Sequence, residues 1–239
     1  LARHTIVCDF RNIDPSSARV VLVEAGPRIL PSFPEKLSAS AAAQLSRLGV
    51  EIVTGDAVVQ CDNTGLALKS GKTINAATII WAAGVMASAA ARWLQAETDR
   101  AGRVIVGPDL KLPGAENIFV IGDTASVTDG AGRMVPGVAP AAKQMGKHAA
   151  RSIIAAMAGE AHRLFVYRDY GNLATIGRMA AVADFGRLRL SGFSAWLLWG
   201  IVHIGFLIGF RNRATVMLDW TWSYLTYSRS ARLITGDDT

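Results

Sequence analysis

Short apolar runs and helix-length segments alternate in the first quarter of this chain. Ala18–Glu24 is a compact run rich in β-branched residues and predicts a buried strand. Glu35–Leu48 carries apolar residues at helical spacing and stops before Gly49, which predicts a helix that ends at a glycine. Val50–Val53 predicts the next strand. A strand, a helix and a second strand in this order indicate a βαβ unit, which places the chain in the α/β class.

The middle of the chain has a different period. In Ala57–Ile74 apolar and polar residues alternate around two turns, which predicts a small antiparallel insertion. Thr78–Trp81 predicts another buried strand, and Ala87–Leu94 predicts a helix. The strand leads to Ala83 and Gly84, whose small side chains would let a flat cofactor ring approach closely. A simple corner between strand and loop explains these two residues nearly as well.

Ile118–Val127 is the segment around which the rest of the chain is organised. Its apolar residues run straight into Gly122 and Asp123, as in a parallel strand whose carboxyl end opens onto a ligand crevice. An ordinary strand that ends in a Gly-Asp turn fits the same residues equally well. Gly130–Gly137 predicts a flexible loop, and Ala139–Met157 predicts a long helix that tolerates a proline in its first turn.

The C-terminal part of the chain predicts short strands and then two apolar helices. The strands fall in Leu164–Asp184. Phe193–Phe210 is almost free of polar groups and has about the minimum length for spanning a bilayer, whereas Ala214–Tyr227 is amphipathic. An anchor that lies in the membrane interface fits this pair better than a clean span. A buried helical hairpin or a dimer interface is the alternative.

Composition and charge also favour a membrane surface as a partner. Hydrophobic residues make up 51% of the chain, and four of the six tryptophans lie in its C-terminal fifth. The formal net charge is +6, but no basic run with interleaved aromatics suggests nucleic-acid binding. The basic residues that flank the apolar, tryptophan-bearing segments are Arg187, Arg189, Arg211, Arg213, Arg229 and Arg232.

The cysteines and the first residue of the chain indicate its redox compartment and whether upstream sequence is missing. Cys8 and Cys61 are too few and too far apart for a disulfide framework or a zinc site, so we predict a reducing compartment and no bound metal. No secretory signal opens the chain. It begins with Leu1 rather than Met, so we expect upstream sequence to be missing.

Four residues are candidates for cofactor chemistry. Glu24 lies at a strand end of a βαβ unit, where an acid can bind adenosine ribose hydroxyls and repel a 2′-phosphate. No G-x-G-x-x-G fingerprint precedes it, and a solvated loop glutamate is the simpler explanation. Asp123 could bind the sugar-alcohol arm of a flavin. Lys143 and Gln144 follow a helix N-terminus that could face the flavin's pyrimidine edge or a quinone. A surface helix with a solvated Lys143 is the alternative.

Six stretches of the chain together form a specific pattern, and they are VVLVEAGPRILPSFP, TIIWAAGV, NIFVIGDTASV, VPGVAPAAKQMGKHAA, GNLATIGRMAAVADF and FRNRATVMLDWTWSYLTYSRSARLITG. In this order they resemble type II NADH dehydrogenases, the single-subunit NADH:quinone oxidoreductases. The resemblance implies a flavoprotein with two dinucleotide-binding domains and C-terminal amphipathic helices that anchor it to the membrane. It also implies FAD as cofactor, NADH as hydride donor and quinone as acceptor, in a respiratory enzyme that pumps no protons.

The resemblance assigns a role to eight residues. Glu24 would bind the NADH ribose, and Ala83 with Gly84 would lie near nicotinamide and flavin. The remaining residues would bind FAD or lie where the flavin edge meets the quinone pocket, and they are Gly122, Asp123, Ala142, Lys143 and Gln144. Gln144 and Lys143 are the candidates for orienting quinone. Many relatives carry a glutamine where this chain has Pro140, so one of two possible quinone-contacting amides is absent from this chain.

The resemblance also implies that the chain is a C-terminal fragment without the FAD and NAD fingerprints. Residues 1–112 would complete the NAD-binding domain, 113–165 would end the FAD-binding domain, and 166–239 would form strands and anchoring helices. We expect a peripheral protein on the cytoplasmic face of the inner membrane, with a homodimer as an open possibility. The alternative is a non-catalytic membrane-associated remnant. In either case we expect the isolated chain to bind no flavin tightly.

Overall fold

The computed structural model describes residues 18–161, 163–206 and 209–226, with the side chains of 224–226 left aside. Cys8, Arg229 and Arg232, which entered the sequence-based predictions, lie outside the described residues. Within them the chain forms two compact units, one from residues 18–79 and 171–226 and the other from Ile80–Tyr170. The assignment of segments to cofactor domains stays a prediction.

The predicted βαβ unit is present. Strand β1 (Val20–Glu24) and strand β2 (Val50–Thr54) pair in parallel, and helix α1 (Glu35–Arg47) connects them. Leu37 and Ala41 bury one face of the helix. The prediction that β1 is a buried strand is wrong, because β1 belongs to a two-stranded sheet and none of its residues is buried. Alternate residues of β1 are therefore exposed, and Leu22 is 37% exposed.

The predicted antiparallel insertion is also present. Strands β3 (Val58–Asp62), β4 (Gly65–Leu68) and β5 (Thr73–Asn75) form a three-stranded antiparallel sheet. Leu68 and Ile74 supply its buried side chains. The two turns between the strands fall where polar residues and glycine interrupt the alternating pattern.

A second antiparallel sheet, β10 (Asn172–Gly177), β11 (Ala180–Asp184) and β12 (Arg189–Ser191), carries the core of the first unit. Its central strand β11 is buried on both faces. Val182 packs in a cluster with Leu37 and Ala41 of α1. Ala181 and Ala183, on the opposite face, cluster with Ala195 of the first C-terminal helix.

The second unit contains short strands around one long helix. Strands β6 (Val104–Val106) and β9 (Ala125–Val127) pair in parallel, and β7 (Lys111–Leu112) and β8 (Ala115–Phe119) pair antiparallel. The helices of this unit are α2 (Ala90–Leu94) and α3 (Ala139–Met157). Helix α3 has the predicted bounds. Its buried residues recur at helical spacing, and they are Ala141, Met145, Ala149 and Ser152.

Two strand predictions in this part of the chain are wrong. Residues 78–81 form no strand, and Trp81 is 65% exposed. The apolar run into Gly122 is not a buried parallel strand, because β8 ends at Phe119 in an antiparallel pair and the parallel strand β9 follows the Gly-Asp turn. An apolar run becomes a buried strand only when neighbouring strands satisfy its backbone, and among the described residues no such neighbour flanks residues 78–81.

The chain continues into two apolar helices, α4 (Phe193–Phe206) and α5 (Phe210–Thr226), close to the two predicted segments. Parallel Trp199 and Trp220 rings, with centroids 5.2 Å apart, join them. Many large apolar side chains of both helices are exposed. Among residues 18–206 and 209–226, apart from 162, no helix combines the length and apolar character that crossing a membrane requires.

Candidate cofactor and quinone site

Gly122 and Asp123 form a tight 3₁₀ turn that packs against the beginning of α3. Gly122 has a φ of +69°, a left-handed conformation that favours glycine. A Cβ on Gly122 would lie 3.5 Å from Cβ of Ala142, so the turn and the helix are in close contact. The Gly122 N–H also points at Sδ of Met145, 3.1 Å away. The carboxylate of Asp123 is exposed beside Gly137, where an added Cβ would lie 3.7 Å from Oδ1.

The N-terminus of α3 is open to an anionic group. Val138 precedes the helix with an extended backbone, no side chain caps it, and its first turn contains no acidic residue. Pro140, in that first turn, has no N–H to leave unpaired. The helix dipole therefore places partial positive charge beside the Gly122-Asp123 turn. Lys143 is exposed one turn into the helix.

The residues predicted to face a flat cofactor ring, Ala83 and Gly84, lie on an exposed segment of the same unit. Gly84 has a φ of +95° and open space around the position of a Cβ. The segment continues to Ser88, whose Oγ lies 3.4 Å from Oγ1 of Thr124 at the end of the Gly-Asp turn. One hydrogen bond thus brings the chain after Gly84 to the turn that carries Asp123.

Glu24 ends β1 in the other unit, as predicted. Its Oε1 accepts a hydrogen bond of 2.8 Å from the N–H of Gly26, which fixes the carboxylate at the strand end. A Cβ on Gly26 would lie 3.2 Å from that oxygen, so a larger residue there would require the Glu24 carboxylate to shift by a few tenths of an ångström.

Gln144 has a specific partner that the sequence did not predict. Its Nε2 donates to the carbonyl oxygen of Arg168 at 2.9 Å, and its Oε1 accepts from the N–H of Arg168 at 3.0 Å. Both ends of the amide thus bind the main chain of a residue 24 positions away. Its predicted role in orienting quinone, like the role of Lys143, stays a prediction.

Sequence reasoning missed the buried carboxylate of Asp129. It accepts hydrogen bonds of 3.0 Å from the N–H groups of Ala131, Arg133 and Tyr167, and it pairs with the guanidinium of Arg133. Burial alone would raise the pKa of Asp129, but the hydrogen bonds from Arg133 and Tyr167 outweigh it and lower the pKa to about 2. The turn-forming run Asp-Gly-Ala-Gly-Arg was the available signal.

His148, one turn after Gln144 on α3, was also missed. Its ring packs edge-on against Phe165, with centroids 5.5 Å apart. Its Nε2 is buried and has no hydrogen-bond partner among the described residues. Burial lowers the pKa of His148, and the nearby charge of Arg151 adds to this, while a hydrogen bond with the main chain of Arg163 and the charge of Asp109 oppose it.

The described residues contain no group of three or more His, Cys, Asp or Glu side chains that could hold a metal ion. Cys61 is a free, exposed thiol on β3. The part of the site around the Gly122-Asp123 turn consists of glycine, the small Ala142, the exposed carboxylate of Asp123 and the N-terminus of α3.

Comparison with known proteins defines the class. The family model "Pyridine nucleotide-disulphide oxidoreductase" matches residues 8–146. The structure of NDH2 from Plasmodium falciparum in complex with NADH superposes with a TM-score of 0.80 at 17% identity, covering 90% of this chain and 60% of that one. The family model covers more than half of the chain, which therefore belongs to the class of the pyridine nucleotide-disulphide oxidoreductases.

More specific matches place the chain within that class. The "NDH2 C-terminal domain" model matches residues 170–229. The type II NADH:quinone oxidoreductase Ndh of Mycobacterium tuberculosis is 43% identical over 246 residues, which cover 98% of this chain and 52% of the relative. The type II enzyme of Haemophilus influenzae is 34% identical over 176 residues, which cover 73% of this chain and 40% of the relative. The chain belongs to the type II NADH:quinone oxidoreductase family, and it spans about half the length of the curated relatives it matches.

Proposed function

We propose that the protein encoded by the complete reading frame of this chain transfers electrons from NADH to a membrane quinone, with FAD as its cofactor. The observation that supports this most is the meeting of the Gly122-Asp123 turn with the N-terminus of α3. Family membership favours this function over a non-catalytic remnant.

The residues around the turn fit one arm of a flavin. The left-handed Gly122 and the small Ala142 opposite it leave the backbone accessible, and Asp123 presents an exposed carboxylate that can accept hydrogen bonds from sugar-alcohol hydroxyls. When bound, FAD would supply the hydride-accepting and electron-donating chemistry. The chain would hold the arm at Asp123 and present the start of α3 to the ring.

The electrostatics of α3 fit a cofactor that gains negative charge when reduced. A helix N-terminus without an acidic first turn stabilises a nearby anion, by about 0.3–1 kcal/mol at an exposed site. Lys143 adds a positive charge on the same end of the helix. We assign to this end the role of favouring the reduced state, and to Ala83 and Gly84 that of leaving room beside the ring.

Glu24 would select the nucleotide. Its carboxylate, oriented by the Gly26 N–H, can accept hydrogen bonds from both ribose hydroxyls. A 2′-phosphate at the same place would be repelled, so NADH is preferred over NADPH.

Helices α4 and α5 would hold the protein against the membrane in which quinone dissolves. Ile201 and Leu218 are more than 60% exposed, and Arg211 and Arg213 lie between the two apolar stretches, where they can meet anionic headgroups. We assign this surface to the cytoplasmic leaflet of the inner membrane. Pairing of two copies through the same helices would bury the same side chains, and a detergent-resistant dimer would support that alternative.

The experiment compares Asp123→Asn with Asp62→Asn in the protein expressed from its complete reading frame. Asp62 is an exposed acid of the β3–β4 turn, and its asparagine variant keeps an oxygen that can accept from Thr64. We expect Asp123→Asn to bind FAD about tenfold more weakly, because charged acceptors contribute about 1.5–3 kcal/mol per hydrogen bond. Equal flavin content and affinity in both variants and the wild type would contradict the assignment.

A further inference from the structure

Residues 163–168, here called the strap, cross beside α3 as an extended segment that belongs to no strand. Phe165 and Tyr167 are buried, whereas Leu164 and Val166 are exposed. This alternation is that of a half-buried strand. The strap nevertheless has no neighbouring strand among the described residues to which its backbone could pair.

Loop carbonyls, loop N–H groups and side chains take the place of that neighbouring strand. The N–H of Phe165 donates to the carbonyl of Pro108, and its carbonyl accepts from Gly130, both at 2.7 Å. The N–H of Tyr167 donates to the carboxylate of Asp129, and its carbonyl accepts from the guanidinium of Arg133 at 2.7 Å.

The last point of attachment is Gln144. Its amide binds both the N–H and the carbonyl of Arg168, the two bonds that a directly opposite residue of an antiparallel strand would make. Because the side chain of Arg168 takes no part in these two bonds, the attachment depends on glutamine at 144 and on any residue with an N–H at 168. His148 packs against Phe165 one helical turn further, so the same face of α3 holds the strap at two places.

We propose that Gln144 is a positioning residue that pins the strap to α3, and that it influences quinone reduction through the strap rather than by contact with the quinone. The inference rests on the proposed function. The amide orientation is set by Arg168, and the same two bonds fix how the strap lies on the helix that begins at the flavin site. Loss of the amide frees the strap at Arg168 and leaves its attachments at Phe165 and Tyr167.

Three variants of the protein expressed from its complete reading frame distinguish a positioning role of Gln144 from direct contact of Gln144 with the quinone. Gln144→Met keeps a chain of similar length without the two hydrogen bonds. Arg168→Pro removes the N–H that binds Gln144. Arg168→Ala keeps both main-chain groups and is the matched control.

Hydrogen exchange measures the strap itself. We expect the Arg168 amide to exchange about tenfold faster in Gln144→Met, because two exposed hydrogen bonds are lost, and to stay at the wild-type rate, allowing for the new side chain, in Arg168→Ala. Steady-state kinetics with quinone measure the consequence. We expect Gln144→Met and Arg168→Pro to lower kcat/KM for quinone by the same factor, about threefold to tenfold, and the double variant to be no worse than either single one.

The opposite results would overturn the proposal. If Gln144→Met raises KM for quinone while exchange at the strap stays unchanged, or while Arg168→Pro keeps wild-type kinetics, Gln144 contacts the quinone directly. If Arg168→Pro does not fold, the exchange result in Gln144→Met still decides whether the amide pins the strap. A wild-type protein that reduces no quinone would contradict the proposed function and not the role of Gln144 at the strap. An unchanged exchange rate of the Arg168 amide in Gln144→Met would contradict that role whether or not the protein reduces quinone.

Discussion

Replacement of Asp129 by asparagine tests how the buried carboxylate holds the second unit together. The side chain of Asp129 is fully buried and accepts three main-chain N–H groups as well as the guanidinium of Arg133. Lowering its pKa from 3.8 to about 2 corresponds to about 2–3 kcal/mol of folding free energy. Asp129→Asn removes the charge, and we expect it to lose about that amount near neutral pH.

The pH dependence follows from the direction of the shift. The pKa is lower in the folded than in the unfolded protein, so the stabilisation is complete above about pH 5 and is lost as the pH falls towards about 2. By about pH 3, roughly 1 kcal/mol of it should be gone, because the unfolded carboxyl is then mostly protonated and the folded one is not. The gap in unfolding free energy between wild type and Asp129→Asn should therefore narrow by that amount.

Urea denaturation at about pH 7 and about pH 3 measures this gap in the protein from its complete reading frame. Asp219→Asn, an exposed position on α5, is the control and should match the wild type. A gap that is the same at both pH values would refute the role of the buried charge. Equal stability of wild type and Asp129→Asn near neutral pH would refute it as well.

Two further predictions concern α3 and the C-terminal helices. Because burial lowers the pKa of His148, the unfolded chain binds a proton at this residue more readily than the folded protein does. The free energy of unfolding should therefore fall as the pH drops through about 6.5, and urea denaturation should show a smaller fall for His148→Leu. An equal fall in the wild type and in His148→Leu would contradict this. Ile201→Glu combined with Leu218→Glu should move the protein from the membrane to the soluble fraction. Val59→Glu, a change at an equally exposed apolar position, should leave the protein on the membrane. A double variant that stays on the membrane would exclude these helices as the anchor.

Local patterns predicted much of this fold. Helix α3 has its predicted bounds, because a long alanine-rich segment begins with Pro140 in its first turn and its many alanines outweigh the single interior glycine, Gly146. The βαβ unit and the antiparallel insertion likewise follow from period and turn chemistry. Each of these elements depends on residues close together in sequence.

The failures are all long-range. Thr78–Trp81 has the composition of a buried strand, but strand formation needs partners that composition does not reveal. The pattern of Ile118–Ile121 predicts one strand that runs into Gly122. In the structure β8 ends at Phe119, because its pairing with β7 ends there. The bond pair between Gln144 and Arg168 joins a side chain to a main chain across a loop, for which no sequence signal exists.

The candidate site shows the same division. The Gly122-Asp123 turn and the N-terminus of α3 could each be predicted, because both are local features, but the contact between Gly122 and Ala142 could not. Asp129 could be recognised only as a turn residue, since its burial comes from Tyr167, which lies 38 positions away.

Reduction and reoxidation of bound flavin test the proposed electron transfer most directly. The protein from the complete reading frame is mixed with NADH without oxygen, and a short-chain quinone is added afterwards. We predict that NADH bleaches the visible flavin absorbance and that the quinone restores it, with NADPH far slower than NADH because of Glu24. Absence of bound flavin, or a flavin that NADH reduces and quinone fails to reoxidise, would contradict the proposed function.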